Sequence, residues 1–392
     1  MIDWKQHCVP GLLDSFEEMR RIRQDIHQHP ELGYQEHRTS KIVADYLAQW
    51  GYKVTCGLGG TGVVGTLKVG KGEKSLGLRA DMDALPMSEA EGCPYVSRHA
   101  GVMHACGHDG HTATLLAVAR HLAQTRSFSG TLNLIFQPSE ESGAGAEAML
   151  QDGLMDIAPC DMLFAWHNYP SPTLQFGQMS IGMGAVMASV DSLHIHITGK
   201  GGHAASPHFT CDPIVAAGAM IQALQTIIAR NVNPFDCAAV SITSIHAGTN
   251  FNVIPGELEM KLSLRSFDKQ QRQLIVTRVN DIVQHQAACF GVNAKISEAA
   301  ISYPSQINHE EPTRLARAVA VQHFGAGNVV LDHPPILAAD DFAFMAQRVP
   351  ACYINIGAGD SAPLHNTHYD FNDALIPVAG SLLVYLTQAQ LR

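Results

Sequence analysis

Four short apolar runs in this chain each stop at, or just before, a residue able to bind a metal or carry a proton. Ser75-Leu76-Gly77-Leu78-Arg79-Ala80 stops at Asp81, and Thr131-Leu132-Asn133-Leu134-Ile135-Phe136 stops shortly before Glu140. Met162-Leu163-Phe164-Ala165-Trp166 stops at His167, and Ala351-Cys352-Tyr353-Ile354-Asn355-Ile356 enters a glycine-rich loop leading to His365. Runs of this length, bounded by turn residues, read as buried strands. Helical patterns precede them at 12–26 and 36–50 and lie between them, notably at 112–124 with Leu115, Leu116, Ala119 and Leu122 on one face. Strand alternating with helix predicts an α/β fold whose sheet is mixed, largely parallel and flanked by helices. Ligands bind such sheets beyond the carboxyl ends of the strands. Four distant segments therefore deliver polar side chains to one edge.

The middle of the chain follows a different rule. Glu257-Leu258-Glu259-Met260-Lys261-Leu262-Ser263-Leu264-Arg265 alternates polar and apolar without a break, the pattern of a strand buried on one face. Strands are also expected at 190–198, 238–246 and 292–296, with helices at 213–230 and 269–290. The order β-α-β-β-α-β predicts a ferredoxin-like α+β unit. It is placed at 184–298, inserted into a catalytic domain formed by 1–183 and 299–392.

The densest chemistry lies in His104-Ala105-Cys106-Gly107-His108-Asp109-Gly110-His111. Imidazole and thiolate are good ligands for borderline divalent metals. With Glu140-Glu141, His167 and His365 there are enough ligands for two ions. Cys106 and His108, two apart on a stretch read as extended, would face the same way, and a thiolate can bridge two cations. Of two adjacent carboxylates, one serves as ligand and the other as general base on an activated water. A plainer reading of the pair is a helix N-terminus capped by Ser139. Asp81 and Asp83 share one side of a strand end, where an ion pair of Asp81 with Arg79 is the bland alternative. His104, His111 and His368 suit supporting or packing roles. Gly199–His208 and Asn250–Gly256 read as exposed loops, bringing His203 and Asn252 close to a ligand or serving only as turns. Arg265 could clamp a carboxylate or lie in solvent.

Composition narrows the classes. A chain of 392 residues, 46% hydrophobic and 16% charged, is globular and long enough for two domains. Its net charge of -10 gives no electrostatic reason to bind a phosphate backbone, so a nucleic-acid partner is not expected. No secretory signal or membrane span is expected either. Nine scattered cysteines fit a reduced, cytoplasmic protein.

The motifs together resemble the metal-dependent N-acyl-amino-acid amidohydrolases: hippurate hydrolases, aminoacylases and auxin-conjugate hydrolases, a branch of the dinuclear metallo-carboxypeptidase superfamily. The likeness is carried by His27–Leu32, Leu78–Pro86, His104–His111, Phe136–Glu141, Gly201–Ala205, Asn252–Gly256, Asp340-Asp341-Phe342 and Leu364-His365-Asn366. It implies two divalent ions, Zn2+ or Mn2+, on Cys106, His108, Glu141, His167 and His365. Glu140 is implied as general base and Asp83 as support for the neighbouring histidine. His203 would polarise the scissile carbonyl across a dimer interface, and Asn252 and Arg265 would hold the substrate carboxylate. The implied substrate is a small N-acyl amino acid; the inserted 184–298 domain is implied to be a lid and dimerisation domain, and the assembly a homodimer through it or a higher homo-oligomer. A metallo-exopeptidase and a non-catalytic binding protein stand as the alternatives.

Overall fold

The structure, a computed structural model, describes residues 4–170 and 172–392. The chain divides into two compact units, one formed by Met1–Val186, Ile307–Pro334 and Asp340–Arg392, the other by Met187–Gln306 and Pro335–Ala339.

The first unit is built on an eight-stranded sheet. Its strands run in the order Lys53–Leu58, Gly62–Val69, Gly130–Gln137, Ser75–Asp81, Met162–Tyr169, Ala351–Gly357, Met179–Ser180 and Val329–Val330. The four central strands are mutually parallel, and the Gly62–Val69 hairpin side is antiparallel. Central strands buried on both faces should lack polar alternation, and these do: every residue of Ala351–Gly357, and all but the first of Ser75–Asp81, is buried. The helices His37–Gln49, His108–Thr125 and Leu375–Gln390 pack their apolar residues into the same core, with Val43, Leu47, Leu115, Leu116, Leu382 and Leu383 buried. The expected helix over 12–26 is two, Pro10–Asp14 and Phe16–Gln28, interrupted at Ser15.

In the second unit four antiparallel strands run in the order Ala238–Ala247, Glu257–Ser266, Ser189–Thr198 and Asn293–Tyr303. Numbered along the unit this is 2-3-1-4, the ferredoxin-like arrangement. Leu193, Ile195, Ile197, Met260, Leu262 and Leu264 point to one face and are covered by the helices Pro213–Asn231 and Lys269–Cys289. Asp212 and Asp268 cap those helices through hydrogen bonds to their first-turn amides. Pro213–Asn231 is apolar and long enough to cross a membrane by length and composition, a feature the sequence reading passed over.

The boundaries of this unit differ from the expected 184–298. The last strand continues to Tyr303, and 335–339 joins the unit because Ala188 donates its N–H to the carbonyls of Ile336 and Ala338. A short pairing this far along the chain leaves no mark in local sequence periodicity.

Candidate metal centre

Strand register brings the candidate ligands level. Asp81 pairs with Gln137, Arg79 with Ala165 two residues before His167, and His167 with Asn355. Asp81, Gln137, His167 and Asn355 therefore share one rung at the carboxyl edge of the parallel strands. Behind it, Gly107 turns the chain at φ +96°, and His108 opens the His108–Thr125 helix. The extended path read for Cys106 and His108 is thus a left-handed turn into a helix. It still brings both side chains to the cluster. His365 is reached through a backbone bond from its N–H to the Ala105 carbonyl, 2.8 Å, and adopts φ +59°.

Two ligand groups converge here. The metal-binding atoms of Cys106, His108 and His167 lie within 4.8 Å of one another, as do those of Cys106, Glu141 and His365. Cys106 belongs to both. Its Sγ is 3.4 Å from His167 Nε2, while His365 Nε2 is 3.1 Å and His108 Nε2 4.0 Å from Glu141 Oε1.

The surrounding bonds orient these rings. His108 Nδ1 lies 3.0 Å from the Asp83 carbonyl and 3.1 Å from Asp83 Oδ1, so Nδ1 carries a proton and Nε2 is the nitrogen turned to the cluster, free to bind a cation in place of a second proton. His167 Nδ1 donates to the Asn168 carbonyl at 2.7 Å, with the same consequence. The second oxygen of Asp83 accepts the Glu141 N–H at 2.9 Å. His111 meets Asp81 at 2.6 Å and Asn168 at 2.7 Å, so both its nitrogens are engaged and it buttresses the site. Asp81 also pairs with Arg79 at 2.6 Å, so its supporting and ion-pairing roles coexist.

Electrostatics shows what the cluster is suited to hold. Burial, then the charges of Glu141, Glu140 and Asp81, push the Cys106 thiol well above its usual range. Burial, then Asp340, Glu141, Asp341 and Asp83, do the same to Glu140. Burial opposes charge on His108, yet Asp81 and Asp83 raise it to about 10. Burial, followed by His111, holds His167 well below its ordinary value, as a neutral donor. His108 Nε2 is buried and has no hydrogen bond. A donor set buried at Cys106, His108 and His167 and open at His365, with excess negative charge and an orphaned imidazole nitrogen, fits divalent cations, which would also make the thiol a thiolate.

Other expectations fare unevenly. No helix begins at Glu140-Glu141: the next one opens at Gly145, and Ser139 sits at φ +49° with its N–H given to Glu36 at 2.8 Å. The capped-helix reading is therefore replaced by a tight turn. His104 is fully buried with neither ring nitrogen bonded, and burial takes it down to about 4. His368 is exposed. His203, Asn252 and Arg265 belong to the second unit. His203 pairs with Val253, Ala204 N–H bonds the Asn252 carbonyl at 3.0 Å, and Arg265 is half-buried on its strand.

Sequence reasoning assigned no role to Asp340, Asp341 or Glu36. Asp340 and Asp341 receive Arg79 Nη2 at 3.0 and 3.3 Å, and their oxygens lie within 4.8 Å of the Glu140 carboxylate. The available signal was Arg79 itself, since an arginine within a buried strand demands acidic partners.

The chain is similar to known hydrolases over nearly its whole length. It is 42% identical to the hippurate hydrolase of Campylobacter jejuni, covering 98% of this chain and all of that one. It is 35% identical to the N-acetyl-L-cysteine deacetylase of Bacillus subtilis, over 97% of this chain and 90% of that one. A solved Bacillus subtilis structure, described as a dinuclear metal-binding peptidase, superposes with a TM-score of 0.81 at 31% identity, covering 96% of this chain and 98% of its own. Residues 77–389 match the model of peptidase family M20/M25/M40, the family to which this chain belongs.

Proposed function

We propose that this protein hydrolyses the amide bond of N-acyl amino acids of the hippurate class, releasing a carboxylic acid and a free amino acid. Two divalent ions would be held by Cys106, His108, Glu141, His167 and His365. The observation that carries this reading is a buried carboxyl, Glu140, beside two ligand groups that share one sulfur. Sulfur favours zinc, while the imidazole and carboxylate ligands also accept manganese.

Bound there, the ions supply Lewis acidity for water activation and carbonyl polarisation. Glu140 takes a proton from the attacking water and returns it to the leaving amine, so one water is consumed for each C–N bond broken. A carboxyl raised by burial and neighbouring acids is a stronger base than an exposed one. Asp83 keeps the His108 lone pair aimed. His203 stabilises the oxyanion in the partner subunit's site: its Nδ1 accepts the Ala205 N–H at 3.0 Å, so the neutral ring carries its proton on Nε2 as a donor. Asn252 and Arg265 bind the substrate carboxylate, for which a guanidinium offers two parallel donors.

The assembly assigned is a homodimer through the second unit. Ala238–Ala247 is an edge strand with Ile245 exposed, and the apolar Pro213–Asn231 helix leaves Ile214 and Val215 exposed. Unpaired edges and apolar patches of this kind are ordinarily covered.

The test is release of benzoate and glycine from hippurate with zinc or manganese present, beside free dipeptides as competitors. Glu140→Gln is expected to keep metal and fold while losing about 10²–10⁴-fold in turnover. Near-normal turnover of this variant removes Glu140 from the role. Cleavage of dipeptides but not of hippurate moves the protein to the exopeptidases.

A further inference from the structure

The helix-free face of the second unit's sheet carries a second set of metal-binding side chains. His194 and His196 alternate with buried Leu193, Ile195 and Ile197, so both project from that face. Register places Glu259 directly opposite His196, and His246 directly opposite Glu259 on the other side. Three strands thus supply three imidazoles and one carboxylate to one patch. Glu259 Oε2 is 3.6 Å from His194 Nε2, and Glu259 Oε1 is 3.9 Å from His196 Nδ1. Two ligands each about 2.1 Å from one tetrahedral ion stand about 3.4 Å apart; the His194 and His196 contacts with Glu259 are near that span, and gathering all three imidazoles around one ion takes rotation of their side chains.

The rings have no competing partner. Among the described residues none of the three imidazoles makes a side-chain hydrogen bond, and His194 Nε2 is shielded from solvent as well. A ring nitrogen shielded from solvent and making no hydrogen bond is costly unless something else meets it. Lys261 and Lys295, opposite His194 and His196, oppose a cation, but their long stems let the ammonium groups swing away.

We propose that His194, His196, His246 and Glu259 form a third divalent-cation site, of zinc type, on the open face of this sheet. Imidazole nitrogens with one carboxylate select borderline cations over calcium or magnesium. The ion clips three neighbouring strands together. The proposal does not depend on the function assigned above.

The experiment compares full-length wild type with a His194→Ala/His196→Ala double variant and with Glu259→Gln, after dialysis against zinc buffered at about 1 µM free ion. Metal is counted per chain by mass spectrometry, and folding is checked by circular dichroism. The Cys106-centred ligands are the same in all three proteins, so the difference in count reports this site. The double variant is expected to hold one zinc fewer per chain and to hydrolyse hippurate as wild type does. Glu259→Gln is expected to release the same zinc at least about tenfold more readily. Equal zinc content in all three proteins overturns the proposal. So does a difference that emerges only at about millimolar zinc, where scattered surface histidines bind as well.

Discussion

His27 is held charged by its neighbours. Burial by itself would lower its pKa, but hydrogen bonds to Asp109 at 2.8 Å and Glu89 at 3.1 Å raise it to about 9. A histidine raised in the folded state stabilises fully below its unfolded value, near 6.5, and that contribution disappears as pH climbs through about 9. Thermal melts of wild type should therefore lose up to about 3 kcal/mol across this window, while His27→Gln should show a shallower slope; identical slopes would remove His27 as the source. Asp83 acts differently, through the ring it orients. Asp83→Asn should weaken metal binding by about 10–100-fold, read by competition with a chelator, with the fold intact. Unchanged affinity would mean that the backbone carbonyl of Asp83 orients His108 unaided. Cys106 and Glu140 were legible from their neighbours in the chain. The role of Asp340 was not, because it lies in a loop while its partners Arg79 and Tyr353 lie on strands and only packing brings them together.

Each central strand announced itself by an apolar run, because burial on both faces removes the polar alternation. The turns between elements carried weaker marks. Gly107 is left-handed, and a Cβ there would stand 2.5 Å from Asn168 Oδ1 and 2.7 Å from the Tyr369 hydroxyl. Gly107→Ala should therefore displace Cys106 from His108, lowering both metal content and stability, the latter by about 1–3 kcal/mol in a denaturant titration. A variant with full metal content would show that the turn tolerates a side chain. Ser139, Ala144 and His365 are also left-handed without being glycine. Such backbone is uncommon for these residue types and gathers at sites where geometry is imposed by surroundings. Nothing in the sequence around Ser139 separated this turn from a capped helix, since serine followed by two acids suits both.

The first unit gathers the ligand cluster, and the second carries His203, Asn252 and Arg265. If His203 serves the partner subunit, an inactive Glu140→Gln protein mixed and reassembled with an inactive His203→Ala protein should regain up to about a quarter of wild-type turnover. Half of the randomly paired dimers would then contain one intact site of two. No recovery, in dimers verified to have exchanged, would place His203 within its own subunit's site. The chain alone determined the alternation of elements, the ferredoxin-like order of the second unit and the identity of the ligand types, since these follow from burial periodicity and side-chain chemistry that any window of sequence displays. Only the tertiary structure decided which nitrogen of each histidine points at the cluster, that His111 is spent on Asp81 and Asn168, and that Arg79 and two aspartates back the Glu140 carboxyl. Those outcomes depend on distances between segments far apart in the chain, and hydrogen-bond geometry of that range is set by packing.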